Sequence, residues 1–221
     1  MQRIFDIIVS GAALLLLFPL LLLLGLILRL TGEGEVFYKQ IRVGLEGRRF
    51  LIYKFATMLK DSPNIGAGTL TMNNDPRVLP IGSFLRKTKI NELPQLLNIL
   101  FGDMSIVGPR PLVPDGESNY SLAETKVIRS VPPGVTGIGS LMLRDEEGYY
   151  AHRIDAQNFY SDVISPYKAS LETWYVKNRS FWLNIKIVFF TFLAIVKPDF
   201  HCEVYFLDLP AMPLELSESK R

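Results

Sequence analysis

The N-terminal stretch constrains this chain most. Residues 4–28 read "IFDIIVSGAALLLLFPLLLLLGLIL" and carry one charge, Asp6. From Ala12 to Leu28 the run is apolar, interrupted only by Pro19 and Gly25. At ~1.5 Å per residue, a helix of this length covers the ~30 Å hydrocarbon core of a bilayer. A cleaved signal peptide would need a shorter apolar core and a small-residue cleavage site, whereas Arg29 follows this run directly. The segment therefore reads as a membrane helix. Pro19 sits in its middle, where proline removes a backbone donor and crowds the preceding turn. A straight span and a helix that bends back to its own side both accommodate it. Basic residues flank both ends, Arg3 on one side and Arg29, Lys39 and Arg42 on the other. Lys and Arg favour the cytoplasmic face, and a straight span would carry one basic end across. The expectation is a re-entrant helix. Asp6, three residues after Arg3, shares its helical face and is expected to pair with it at the interface.

The rest of the chain is that of a single modest domain. The whole chain has 221 residues, 48% hydrophobic, and a net charge of +2; its mean hydropathy of +0.21 owes much to the N-terminus. Net charge says little, but a basic run does: Arg42, Arg48, Arg49, Lys54, Arg77, Arg86, Lys87, Lys89 and Arg110. No RNA-binding aromatic signature, zinc finger or heptad accompanies it, so it suits phosphate groups or anionic lipid and not nucleic acid. The one cysteine, Cys202, excludes a disulfide framework and a cysteine-rich metal site. His152 and His201 lack a second metal-type ligand at useful spacing and suit surface or core roles.

Residues 35–58 alternate apolar and polar side chains around "VGLEG", with Gly44 and Gly47 at the turn; this predicts a hairpin with Lys54 on its second arm. Lys54 is either a solvated strand lysine or a phosphate contact. Residues 59–79 are rich in Pro, Gly and Asn and read as a long loop ending in the turn "DPR" (75–77). A short helix is expected from Ile81 to Lys89. Leu93, Leu96, Leu97 and Leu100 then follow helical spacing, with Gly102 as a stop. Pro94 needs an early-turn position, so Asn91 is expected as the N-cap. The same helix start, flanked by Arg86 and Lys89, also reads as an anion site. In "GDMSIVGPRPL" (102–112) a glycine and two prolines hold a rigid turn around Arg110, suited to bidentate phosphate recognition. "LRDEEG" (143–148) reads as a solvated acidic turn with Asp145, Glu146 and Glu147. Toward the C-terminus, Trp174, Tyr175, Phe181 and Trp182 precede an apolar run, Ile187 to Val196, too short to span a bilayer. An interfacial helix and a core helix both fit it. Residues 201–221 read as a tail that folds back.

Three separated motifs carry a family resemblance: "IYKFATM" (52–58), "NELPQLLNILFGDMSIVGPRPL" (91–112) and "PPGVTGIGS" (132–140). Together with the proline-broken helix, residues 1–197 resemble the bacterial sugar transferases known as monotopic phosphoglycosyl transferases. The resemblance implies transfer of a sugar 1-phosphate from a UDP-sugar to membrane polyprenyl (undecaprenyl) phosphate, with UMP released and Mg²⁺ required, at the start of surface-glycan or glycoconjugate synthesis. It implies an inner-membrane enzyme with its catalytic domain on the cytoplasmic face, and relatives of this kind can be homodimers. By the match, Lys54, Arg86 and Arg110 handle phosphates, Asp75 and Arg77 belong to the same surroundings, and Glu92 stands beside the metal. The implied fold is α+β and mainly helical, with the re-entrant helix at 1–30, a catalytic domain at 31–200 holding a short β-hairpin and interfacial helices, and the tail at 201–221.

The chain departs from the family pattern at the decisive position. Asn91 stands where the pattern has the nucleophilic Asp of an Asp-Glu pair, and an amide is a poor nucleophile. The family activity with Glu92 taking over is one reading; another carboxylate, such as the 145–147 cluster, is a second. A silent relative that binds nucleotide sugar or polyprenyl phosphate without turnover is the third. Ala56, where a basic residue is frequent in the family, is a lesser departure.

Overall fold

The computed structural model describes residues 2–65, 75–144, 146–150, 153–197, 200 and 202–218, with backbone only at 63, 115, 117, 118, 147 and 218. Helices dominate. In chain order they and the strands are α1 (Gln2–Thr31), β1 (Phe37–Val43), β2 (Arg49–Phe55), α2 (Pro80–Lys87), α3 (Gln95–Phe101), β3 (Ser105–Val107), α4 (Leu122–Ile128), β4 (Gly134–Thr136), α5 (Ile138–Met142), α6 (Glu146–Tyr150), α7 (Ala156–Phe159), α8 (Ser165–Asn178), α9 (Phe181–Val196) and α10 (Leu214–Glu218). Two compact units form: Met1–Ile41 with Leu51–Asp103, and Arg42–Phe50 with Met104–Arg221.

In the first unit α1 runs unbroken through Pro19 and is, among the described residues, the one helix long and apolar enough to cross a membrane. Its outer part is bare: Leu15 is 80% exposed and Leu16 81%. An apolar surface of that extent needs a non-aqueous neighbour. Its inner end is a core element instead. Leu24 and Leu28 bury against Phe55 and Leu85, with Leu21, Val36, Ile81 and Ile90 around them. At its start Arg3 donates to the Ile99 and Leu100 carbonyls at the end of α3, satisfying acceptors a helix C-terminus leaves open. Gly102 ends α3 in the left-handed region (φ 98°), as the sequence predicts. The expected hairpin forms from β1 and β2, joined through the Leu45–Gly47 turn. The loop after it closes with an antiparallel bridge from Met58 to Val78.

The second unit is built on a parallel pair, β3 with β4, in which Ser105 faces Gly134 and Val107 faces Thr136. The crossover between them carries α4, begun by a capping box of Ser121 and Glu124. Glycines let the two strands meet. A Cβ on Gly134 would lie 2.0 Å from the Gly108 nitrogen, and one on Gly137 would lie 2.2 Å from the Gly108 oxygen. This packing gives "VGPRP" and "PPGVTG" a structural reason to occur together. Around the pair lies a core of Ile138, Leu141, Ile164, Leu171, Tyr175 and Ile187. Between α7 and α8 the helix widens to a π-turn at Tyr160–Ile164, where Pro166 lacks an amide hydrogen and its ring crowds the carbonyl four residues back. The aromatic stretch and the apolar run fall on two helices, α8 and α9, parted at Arg179–Ser180 with the Ser180 hydroxyl capping α9. One face of α9 is core, through Ile187, Phe190 and Ala194; Phe189, Phe192, Ile195 and Val196 are exposed. Beyond 201, Cys202, Phe206 and Leu216 bury themselves in the same core, so this segment does fold back.

Candidate active site

The site assembles from β2 upward. On β2 Ile52 and Phe55 are buried and Lys54 between them is partly buried. Asn98 on α3 fixes this strand. Its buried amide accepts from the Tyr53 N–H (3.0 Å) and donates to the Leu51 carbonyl (2.7 Å) and to Asp103 Oδ2 (3.2 Å). A buried amide with all of these bonds made is expensive to replace. Strand and helix so joined bring Lys54 Nζ to 2.7 Å from Glu92 Oε1, with side-chain exposures of 16% and 13%. Half-sheltered from water, the pair interacts more strongly than a surface ion pair.

Glu92 is carried on a 3₁₀ turn, Ile90–Glu92, and not on the first turn of an α-helix. The turn is entered through Lys89, a lysine in the left-handed region (φ 61°), a conformation that costs an L-residue ~1–2 kcal/mol. This corrects the expected Asn91 cap. Pro94 occupies the N-cap position of α3 and no side chain caps it. Asn91 is buried, and its Oδ1 has no hydrogen-bond partner among the described residues. α3 has seven residues and starts after Pro94, so the segment expected to hold an anion beside Arg86 and Lys89 is the Ile90–Glu92 turn together with this short helix. Arg86 stands in the last turn of α2, the helix that leads into the Ile90–Glu92 turn.

Asp75 and Arg77 form a structural staple. Arg77 Nε and Nη2 donate to the two Asp75 carboxylate oxygens at 2.8 and 2.6 Å, and Nη1 donates to the Ser62 and Ile65 carbonyls. Both side chains are 3% exposed, and removing either partner of such a buried pair costs ~3–5 kcal/mol.

In the second unit Arg110 lies in the turn after β3. The Arg110 N–H donates to Glu172 Oε1 (3.3 Å) and Arg42 donates to the Pro111 carbonyl (3.0 Å). Val43, Gly44, Tyr120, Thr125 and Arg129 line a small cleft beside this turn. Glu146 is not in a solvated turn, contrary to expectation: both of its oxygens bind Lys168, which is 3% exposed. Asp145, the Glu147 side chain, His152 and His201 lie outside the described residues. Among the described residues no three His, Cys, Asp or Glu side chains cluster as a metal site.

The match to known proteins covers the same ground. The family of bacterial sugar transferases matches residues 1–198. The chain belongs to this family. Relatives include the exopolysaccharide production protein ExoY of Rhizobium meliloti (strain 1021), 34% identical over 208 residues, which cover 88% of this chain and 84% of the relative. The UDP-glucose:undecaprenyl-phosphate glucose-1-phosphate transferase of Klebsiella pneumoniae is 34% identical across 86% of this chain and 39% of its own length. The undecaprenyl-phosphate galactose phosphotransferase of Salmonella typhimurium is 32% identical across 90% and 41%. The chain thus spans about two-fifths of these two longer transferases.

Glu172, which sequence reasoning missed, carries a strongly perturbed carboxyl. Burial pushes it up to about 7, against the lowering effects of the Arg110 N–H bond and the Lys168 and Arg110 charges. A carboxyl raised on folding favours the folded state most when protonated. Its contribution is full below about 4.5 and is lost as pH rises toward about 7. At ~1.4 kcal/mol per unit the loss is on the order of 3 kcal/mol. Glu172→Gln removes that loss, so the melting temperature of the variant gains on the wild type from pH 5 to pH 7.5. A difference that stays flat across this range contradicts the shift.

Proposed function

We propose that the protein transfers a sugar 1-phosphate from a UDP-sugar to polyprenyl (undecaprenyl) phosphate in a membrane and releases UMP. The observation that carries this is the sheltered Lys54–Glu92 pair, held in the same compact unit as an apolar helix fit for lipid. The names of the relatives support it, since two of them act on undecaprenyl phosphate. Lys54 and Arg86 in the first unit, and separately Arg110 in the second, are the cations suited to the phosphate groups of the substrates. Before the donor arrives, Lys54 and Glu92 neutralise each other. A diphosphate competes for Lys54 and releases the Glu92 carboxylate.

Glu92 then supplies the nucleophile that position 91 lacks. A Glu92 oxygen attacks the sugar-linked phosphorus, the bond from that phosphorus to the bridging oxygen breaks, and UMP leaves with the electron pair. A polyprenyl phosphate oxygen attacks the same phosphorus and returns the carboxylate. Cations spread around the phosphoryl oxygens provide most of the stabilisation such a transfer needs. The orphaned Asn91 oxygen and the Glu92 carboxylate are hard donors of the kind Mg²⁺ takes alongside substrate phosphates. When bound, Mg²⁺ would neutralise charge on the phosphates, held by the Asn91 oxygen and by the Glu92 oxygen that does not attack.

A second reading is favoured by Asn91 itself: a family member that binds donor or lipid phosphate without turnover. UMP release with Mg²⁺, polyprenyl phosphate and a panel of UDP-sugars separates the two. We expect UMP with at least one donor, a loss of at least ~100-fold in Lys54→Met, and a gain in Asn91→Asp. UDP-sugar binding with no UMP from any donor would establish the silent reading.

Membrane association follows from α1; it stays helical through Pro19, and we propose that in a bilayer it kinks at that proline so that both ends lie on the cytoplasmic face. The basic ends Arg3 and Arg29 support this, and the exposed ring face of α9 suits the lipid boundary. Cysteines placed at Gln2 and Gly34 should both be shielded from an impermeant maleimide in intact spheroplasts and labelled in inverted vesicles. Labelling of one from outside would show a span.

A further inference from the structure

Two residues of α8, Glu172 and Tyr175, stand three apart and therefore on one helical face. Both reach the back of the segment from β3 into the Arg110 turn. Glu172 Oε1 takes the Arg110 N–H, and Tyr175 Oη lies 3.2 Å from the Val107 carbonyl oxygen and 2.8 Å from Asn184 Oδ1. The route for the carboxylate is kept open by a missing side chain: a Cβ on Gly139 would come within 2.4 Å of Oε1. Glu172 is 2% exposed, and its Oε2 has no hydrogen-bond partner among the described residues. Lys168, the nearby ammonium, is engaged by Glu146. A buried carboxylate held at such cost and spending one oxygen on a backbone amide is poor economy for stability alone. Further along, Arg42 donates to the Pro111 carbonyl and the Val43 N–H donates to the Leu112 carbonyl, so the turn is held at more than one point.

We propose that Glu172 is a positioning residue: through its bond to the Arg110 amide it sets the turn that aims Arg110 at the diphosphate of a nucleoside diphosphate donor. This rests on the reading that Arg110 binds donor phosphate. What matters is reach, not charge. Glutamine keeps the oxygen that accepts the amide hydrogen, whereas aspartate keeps the charge and falls one methylene short.

The test uses the full chain in lipid nanodiscs and UDP as the probe, so it needs no turnover. Loss of a bond that orders a charged ligand contact weakens binding by about tenfold. Glu172→Asp is expected to raise the Kd for UDP by about that factor, and Glu172→Gln to stay within about threefold of wild type. In an Arg110→Ala background Glu172→Asp should have no added effect. Wild-type affinity in Glu172→Asp, a weaker Gln than Asp, or effects that add fully in the double variant would each overturn the proposal. An unchanged Kd in Arg110→Ala would instead sink the phosphate reading of Arg110. Tyr175→Phe, which removes the second contact to the same segment, gives a smaller loss in the same direction. Should Glu172→Asp fail to fold, wild-type affinity in Tyr175→Phe together with a Glu172→Gln variant weakened as much as Arg110→Ala would overturn it equally.

Discussion

One buried amide holds the candidate site together. Asn98 joins β2 at Leu51 and Tyr53 to α3 and to Asp103. It adds a polar tie between strand and helix to the apolar contact that Ile90 of the Glu92 turn makes with the cluster around Phe55. The 2.7 Å ion pair forms next to that clamp. Asn suits the place because its amide accepts with one atom and donates twice with the other. An aspartate could not donate to the Leu51 carbonyl, and a leucine would leave strand groups unpaired.

The two units solve different physical problems. In the first, a helix that no water-soluble surface would tolerate is anchored at its inner end by Leu24 and Leu28 and at its start by Arg3 on α3. The acid–cation pair belongs to that same unit, which suits chemistry on a lipid-borne phosphate. In the second, three glycines let backbones approach within side-chain distance, and the resulting strand pair delivers a proline-flanked arginine. Stiffness there comes from the backbone and from Glu172 behind it.

Much of this was legible in the residues. The apolar run, the hairpin around "VGLEG" and the Gly102 stop follow from periodicity and turn chemistry, and all three are present. The Asn91 cap was misjudged because Lys89 enters the left-handed region and tightens the next turn, which local propensity does not foresee. The β3–β4 pair was missed because three-residue strands with a crossover leave no alternation to detect. Its only signal was the glycine spacing in "PPGVTG". The acidic 143–148 segment looked solvated since its partner, Lys168, lies 22 residues away from Glu146. Glu172 was hidden for the same reason: nothing in "SLETWYV" reveals that a carboxylate there faces Gly139 and the Arg110 amide. By contrast the Ser121–Glu124 capping box was readable from its spacing and was passed over.

The central claim is that Glu92, held by Lys54 on the Asn98 clamp, does the work of the missing acidic neighbour. Peptide mass spectrometry after brief incubation with a turned-over UDP-sugar, without polyprenyl phosphate, addresses it directly. The account predicts a sugar-phosphate adduct on Glu92 that disappears when polyprenyl phosphate is added. UMP release with an adduct on any other residue, or with none at all, would contradict it.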